Sequence, residues 1–278
     1  MSKQERGRPP LPEPLGVPTV DSHTHLEACG AETAADVAEI VDRAESVGVT
    51  RVVTIADDLD AARWAAQAST WDDRVWAAVA IHPTRTKDFG PAEQSEVERL
   101  AAGERIVAIG ETGLDYYWDY SPPDAQREAF RWHIDLAKRL RKPLMIHDRE
   151  AHEDILRVLD EEGAPEDVVF HCFSGDEDFA RRCVDRGFVL SFAGTVTFRK
   201  ASGLHDAARF VPSGQFLVET DAPFLTPHPH RGRPNEPYCA AYTVRGIAEL
   251  RGQSAEEVAE AARVNAERVF RLPVVTSP

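Results

Sequence analysis

The sequence has no apolar run near the roughly 18 residues that a membrane-spanning helix needs, which argues against a membrane protein. Its start, MSKQERGRPP, carries charge with no apolar stretch behind it, so no secretory signal is expected. Cysteine is scarce: Cys29, Cys172, Cys183 and Cys239 form no CxxC pair and no dense framework. Without export signals they read as reduced thiols, and the expected location is cytoplasmic. Positive charge is also in deficit, with 32 Lys and Arg against 47 Asp and Glu and a formal net charge of −15. That opposes wrapping of duplex DNA, which needs a basic surface. It leaves open a nucleic acid engaged at one point, because bound divalent cations reverse the local charge.

What is present is ordinary for a chain that buries a core: 42% hydrophobic and 28% charged residues among 278. Residues 1–17 contain GRPPLPEPLG, too rich in proline for helix, and are expected to form an extended or mobile arm. Beyond them, β-rich runs recur at Pro18–Val20, Arg51–Ile55, Val75–Ala80, Ile106–Ile109, Pro143–Ile146, Val168–Phe170, Phe188–Ser191 and Phe216–Val218. Helical periodicity fills the gaps. Val37, Ile40, Val41 and Ala44 follow one stripe, with Thr33 placed to cap it. A second helix is predicted from about Asp124 to Arg141, closed by Pro143, and a last one from Ser254 to Phe270. Eight strands alternating with helices, about 28 residues apart, predict a parallel α/β fold closed as a (β/α)8 TIM barrel, a single domain over 18–272. The competing open doubly wound sheet usually has a glycine-rich loop after its first strand. Here that position reads DSHTHLEAC.

Polar residues able to bind metal fall where the strand runs end. These are His23 and His25 after the first run, Glu111 after the fourth, His147 after the fifth, His171 after the sixth and Asp221 after the eighth. In a parallel barrel those ends share one face, where active sites are built. His23 and His25, two residues apart on an extended segment, point the same way, so one ion can accept both imidazoles. The plain alternative for a lone His-x-His is a pair of exposed or hydrogen-bonded histidines. Four histidines and two acids at five strand ends favour the metal. The mixed set suits Zn²⁺, Mn²⁺, Fe²⁺ or Co²⁺, and Mg²⁺ less well. Six ligands exceed what one open catalytic ion takes and match two divalent ions roughly 3.5–4 Å apart, with Glu111 the candidate bridge. Asp221 can bind one ion and also take the proton of the attacking water.

The ordered segments DSHTHL, AIHP, GETGLDYY, QREAF, PLMIHDRE, HCFSG, ETDAPFLTP and PHRGRPNEP run from about residue 21 to 237. Together they resemble the TatD family of metal-dependent deoxyribonucleases, barrel metallohydrolases related to amidohydrolases. One segment alone is a weak sign; the ordered set is specific. The resemblance implies a two-metal phosphodiesterase acting on DNA. One ion would be held by His23, His25 and Asp221, the other by His147 and His171, with Glu111 between them. Related amidohydrolases often bridge with a carbamylated lysine, so the glutamate in GETGLD favours the nuclease-like branch. Two departures, AIHP where glycine is commoner first and Glu27 where aspartate is common, touch no proposed ligand.

On this reading a bridging hydroxide attacks phosphorus in line while the ions neutralise growing charge. Asp221 and Glu111 are the catalytic carboxylates. Arg149 is the candidate phosphate clamp, unless it pairs with Asp148 or Glu150, and His82 and Arg231 are further candidate substrate contacts. The expected partner is DNA, single-stranded or at ends, with no membrane and no protein partner. Cys172 is expected to point away from the ion, and His133 and His152 to be packing or surface residues. Tyr116, Tyr117 and Trp118 either stack an unpaired base or pack against the barrel mouth. The runner-up activity is hydrolysis of carboxyl or aminoacyl esters such as D-aminoacyl-tRNA; the third reading is metal binding without catalysis.

Overall fold

The computed structural model describes residues 7–274. Eight strands lie in one sheet in the order β1 to β8, every neighbouring pair parallel. They are β1 Thr19–Thr24, β2 Val49–Ile55, β3 Val75–Val79, β4 Ile106–Asp115, β5 Leu144–Arg149, β6 Val168–Phe170, β7 Val189–Phe192 and β8 Phe216–Val218. The helices are α1 Ala34–Glu45, α2 Leu59–Ala68, α3 Pro91–Ala101, α4 Pro123–Leu140, α5 His152–Glu162, α6 Glu177–Val184, α7 Ser202–Phe210, α8 Ala240–Arg251 and α9 Ala255–Val269. The predicted (β/α)8 barrel is therefore the fold. None of these helices is long and apolar enough to cross a membrane.

Local chemistry accounts for the helix limits. Thr33 caps α1 in a reciprocal box with Asp36, and the predicted stripe Val37, Ile40, Val41 and Ala44 is buried. Ser254 and Glu257 form the same box at the start of α9. Helix α4 stops at Arg141, which turns left-handed (φ 53°) ahead of Pro143. Residues 7–15 carry no helix or strand. Their carbonyls at Pro9, Pro10 and Glu13 accept bonds from Tyr238, Tyr242 and Arg245, strapping this segment to the barrel. Residues 1–6 of the expected arm lie outside the described residues.

Side chains alternate across each strand, and this alternation builds the site. Leu144, Ile146, Val168, Phe170, Phe216 and Val218 pack in one cluster with the surrounding helices. The residues between them, Met145, Val169 and Leu217, join Val20, Val53 and Val107 in the barrel interior, closed below by Val269, Phe270 and Leu272 of the α9 end. One further inward step on β5 is His147, on β6 His171 and past β8 Glu219. Two register irregularities supply the rest. The shift between Asp21 and Thr24 lets Ser22, bonded to Ser191, and His23, against Met145 sulfur, both reach interior partners. The shift between Ile109 and Thr112 does the same for Glu111.

Candidate metal centre

The barrel closes between β1 and the segment after β8, and it closes through ligand residues. Asp221 N–H donates to the His23 carbonyl at 2.9 Å, and His25 N–H to the Ala222 carbonyl at 2.8 Å. Asp21, fully buried, reinforces the seam by accepting from the Thr220 N–H at 2.9 Å and hydroxyl at 2.6 Å. Asp221 itself is left-handed (φ 53°), a conformation aspartate tolerates better than most residues. The three residues His23, His25 and Asp221 are thus fixed to one another by backbone before any ion is considered.

All six residues expected as ligands converge. His23 Nε2 and His25 Nε2 lie 3.2 Å apart and 3.7 and 3.4 Å from Asp221 Oδ1. Glu111 sits centrally: Oε2 is 2.6 Å from His171 Nε2 and 3.4 Å from His147 Nδ1, and Oε1 is 3.8 Å from His25 Nε2. The strands of β1, β4 and β5 run further than predicted, so His23, Glu111 and His147 lie within strands rather than past their ends. Pairing with β2 and across β4–β5 continues through the polar residues, which a hydrophobicity pattern does not reveal.

Sequence reasoning missed the carboxylates behind the imidazoles. His147 turns Nε2 to Asp115 Oδ2 at 2.9 Å, His25 turns Nδ1 toward Asp57 at 3.4 Å, and His171 turns Nδ1 toward Glu219 at 3.4 Å. Such partners fix which nitrogen faces the cluster. Asp115 also accepts the N–H groups of Tyr117 and Trp118, both at 3.0 Å. A search for an acid behind each expected histidine ligand could have found Asp115 and Glu219, since both stand at strand ends. Asp57 follows β2, a strand that ends in none of the expected ligands.

The donor set fits divalent metal. The buried Glu111 Oε2 has no hydrogen-bond partner among the described residues, although imidazole nitrogens surround it. Two facing Nε2 atoms at 3.2 Å can both offer lone pairs to a cation but cannot both donate to each other. Four overlapping sets of three donors meet the geometric requirement for an ion, and Glu111 belongs to three of them. Burial alone would raise the Glu111 carboxyl; the His171 imidazole 2.6 Å away, with His147 close by, outweighs burial and holds it well below its ordinary range. Burial would lower His25, but its bond to Asp221 and the charges of Asp57 and Glu111 lift it to about 9. The cluster is thus strongly electronegative, as a cation site must be.

Above the ligands a cavity of about 810 Å³ opens, lined among others by His82, Arg149, Cys172, Trp118, Tyr120 and Phe224. His82 lies 4.4 Å from the His147 ring, and burial pushes its imidazole down to about 3. Arg149 pairs with neither Asp148 nor Glu150: its guanidinium lies 3.9 Å over the Tyr117 ring, and Asp148 bonds His152 at 2.6 Å instead. Arg231 is not brought into this cavity; it lies 3.9 Å over the Phe198 ring. Cys172 corrects the expectation that it points away, because its left-handed φ of 43° breaks the alternation and it lines the cavity. His133 packs in the core, and Tyr117, Trp118 and Tyr120 are exposed at the rim. Asn235, donating to the carbonyls of Thr220 and Phe224, and Glu236, forked by Arg43, order the loop after β8.

Residues 20–271 match the family model described as TatD related DNase. The chain is 57% identical over 258 residues to a Mycobacterium tuberculosis protein named as an uncharacterized metal-dependent hydrolase, TatD, covering 91% of this chain and 98% of that one. It is 32% identical to a protein of Erwinia tasmaniensis named 3'-5' ssDNA/RNA exonuclease TatD, over 84% of this chain and 93% of that one. The crystal structure of YJJV, a TatD homologue from Escherichia coli, superposes with a TM-score of 0.86 at 28% identity, covering 92% of this chain and 98% of that one. With its candidate metal donors assembled at the mouth of an eight-stranded barrel, this chain belongs to the TatD family of metal-dependent hydrolases.

Proposed function

We propose that this chain is a cytoplasmic deoxyribonuclease that cleaves phosphodiester bonds with two divalent ions. His23, His25 and Asp221 would hold one ion and His147 and His171 the other, with Glu111 within reach of both. The observation that carries this reading is the position of Glu111, with Oε1 facing the His25 side and Oε2 facing His147 and His171. When bound, zinc, manganese, magnesium, iron or cobalt would supply Lewis acidity that activates water and offsets charge on the phosphoryl oxygens.

The protein's own groups do the rest. Asp221 has the most open of the two ligand carboxylates, 14% exposed against 5% for Glu111, so it can take a proton from water entering the cavity. Asp115 and Glu219 hold His147 and His171 in orientation. Arg149, free of a carboxylate partner among the described residues and braced by Tyr117, is aimed to clamp a phosphate. His82, kept neutral by burial, lines the same cavity and is a further candidate contact for the substrate. The exposed Trp118 and Tyr120, stacked at 5.4 Å, offer a face to an unpaired base, which favours single strands or ends over intact duplex. The relative named as a single-strand exonuclease supports the same substrate.

The test gives the purified protein, with metal content measured and defined ions added, single-stranded DNA, duplex DNA, RNA and aminoacyl-tRNA. Metal-dependent release of nucleotides from single strands is expected, with Asp221→Asn reduced at least a hundredfold. Ester hydrolysis without phosphodiester cleavage would replace this reading with the aminoacyl-ester activity.

A further inference from the structure

The chain carries 47 acidic residues, yet two stretches of the loops around the metal cavity contain none. Residues 193–201, between β7 and α7, read AGTVTFRKA; residues 222–235, the part of the β8–α8 loop between Asp221 and Glu236, read APFLTPHPHRGRPN. Between them they place Arg199, Lys200, Arg231 and Arg233, all exposed, on one side of the barrel mouth. The loops are tied into one surface. His228 N–H donates to Thr197 Oγ1 at 2.8 Å, Arg231 lies 3.9 Å over Phe198, and Gly194 approaches the Leu225 carbonyl too closely to carry a Cβ.

These cations differ from most of the chain's arginines. Arg63, Arg131, Arg182 and Arg186 are each locked to carboxylates on neighbouring helices. Among the described residues Arg199, Lys200, Arg231 and Arg233 have no carboxylate partner. The surface is continuous with the metal cavity: Thr195 lines that cavity and also an adjoining depression of about 340 Å³ that reaches Lys200. Past it, a groove of about 540 Å³ runs beside Arg199, His205, Arg209, His228 and Arg245, with Glu249 as its acid and Arg209 held by Asp206. On a protein of net charge −15, cations grouped without carboxylate partners favour a polyanion on this side of the mouth, although Asp176 also lines the adjoining depression.

We propose that the β7–α7 and β8–α8 loops form a phosphate track, holding the backbone of a single-stranded nucleic acid for several nucleotides beyond the bond at the metal centre. The inference rests on the nuclease reading and adds a length dependence to it. A dinucleotide ends within the metal cavity and does not use the track; a longer strand gains affinity from each phosphate lying over it.

The test compares the metal-loaded wild type with Arg199→Gln/Lys200→Gln and with the charge-restoring Arg199→Lys/Lys200→Arg, after thermal melts confirm folding. Cleavage of a dinucleotide and of an eight-nucleotide DNA is followed, and a labelled phosphorothioate eight-mer, which resists cleavage, reports binding by anisotropy across a salt series. In the glutamine double variant the eight-mer should bind about tenfold more weakly at moderate salt, and the slope of log affinity against log salt should flatten by about 1.4. KM for the dinucleotide should stay within twofold of wild type, and the charge-restoring variant should recover the slope. Equal KM for the two substrates in the wild type, or an unchanged slope in the glutamine variant, would overturn the track and leave the nuclease reading standing. Polyglutamate binding as tightly as the eight-mer would overturn nucleic acid as the occupant. If no phosphodiester is cleaved at any length, the nuclease reading falls, while the anisotropy series still decides whether the track exists.

Discussion

Replacing Gly113 with alanine tests whether the close approach of β4 to β5 is what holds His147 in the metal centre. Gly113 pairs with His147 across these strands and has φ +134°, where a side chain is strained. A Cβ there would lie 2.2 Å from the His147 carbonyl oxygen. Reaching the 3.4 Å of ordinary contact requires a retreat of about 1.2 Å by backbone on one strand. The strain costs about 1–3 kcal/mol, and ladder bonds broken by the retreat cost about 1–3 kcal/mol each when left buried and unmet. A loss of about 4–6 kcal/mol follows, or roughly 10–20 °C in Tm for a domain of this size. His147 would also move by far more than the ~0.2 Å that metal–ligand distances tolerate, so metal affinity should fall more than tenfold. Two further variants separate the causes. Gly163→Ala, at φ +72° with open space around it, reports strain alone. Gly110→Ala, whose Cβ would meet Met145 Cβ at 2.5 Å without positive φ, reports in its melt the cost of collision without strain, its metal content being affected through the adjacent Glu111. Calorimetric melts and metal analysis after gel filtration provide the measurements. If Gly113→Ala melts within a few degrees of Gly163→Ala and keeps its metal, the reasoning is refuted.

Three other outcomes are expected. Asp115→Asn keeps the acceptor for the Tyr117 and Trp118 N–H groups but sets an amide against His147 Nε2, so metal affinity should fall about 10–100-fold in chelator competition with little change in Tm. His133 donates from Nδ1 to the Ala129 carbonyl and accepts the Ile81 N–H at Nε2, a neutral tautomer, and burial pushes its imidazole down to about 4. Because the folded value lies below the ordinary 6.5, its contribution is complete above pH 6.5 and drains as pH falls toward 4. The loss is about 3 kcal/mol, read as a gap between wild type and His133→Gln that narrows across that window in urea melts; a constant gap would contradict it. Glu236, buried and forked by Arg43 at 2.8 and 3.1 Å with Arg8 also at 2.5 Å, anchors the loop after β8 to α1. Glu236→Ala removes the carboxylate that both arginines share, leaving Arg43 only its 3.9 Å contact with Glu39, and should lower stability by about 1–3 kcal/mol; a melt unchanged within 2 °C would refute that role.

The sequence by itself determined the barrel and which imidazoles and carboxylates meet at its mouth, and for one physical reason. Alternation along a strand is a local property. Runs such as PLMIH and VVFH therefore already announce which residues face together, and only imidazoles and carboxylates at such positions serve a metal. The capped start of α1 and the stop before Pro143 were legible on the same ground, since caps are contacts between residues three apart.

What depended on residues distant in the chain was decided only by tertiary structure. Asp57, Asp115 and Glu219 are ordinary acids in the sequence; they become the partners of His25, His147 and His171 because the barrel brings them together. The register shifts that aim His23 and Glu111 inward depend on how neighbouring strands pair. Backbone angle overrode alternation at Cys172, and loop packing drew Arg231 onto Phe198 and away from the cavity where its motif suggested it. The metal donors are written in residue types and their spacing. Their orientation, and the basic lane beside them, come from contacts between strands and loops that the closed barrel alone makes neighbours.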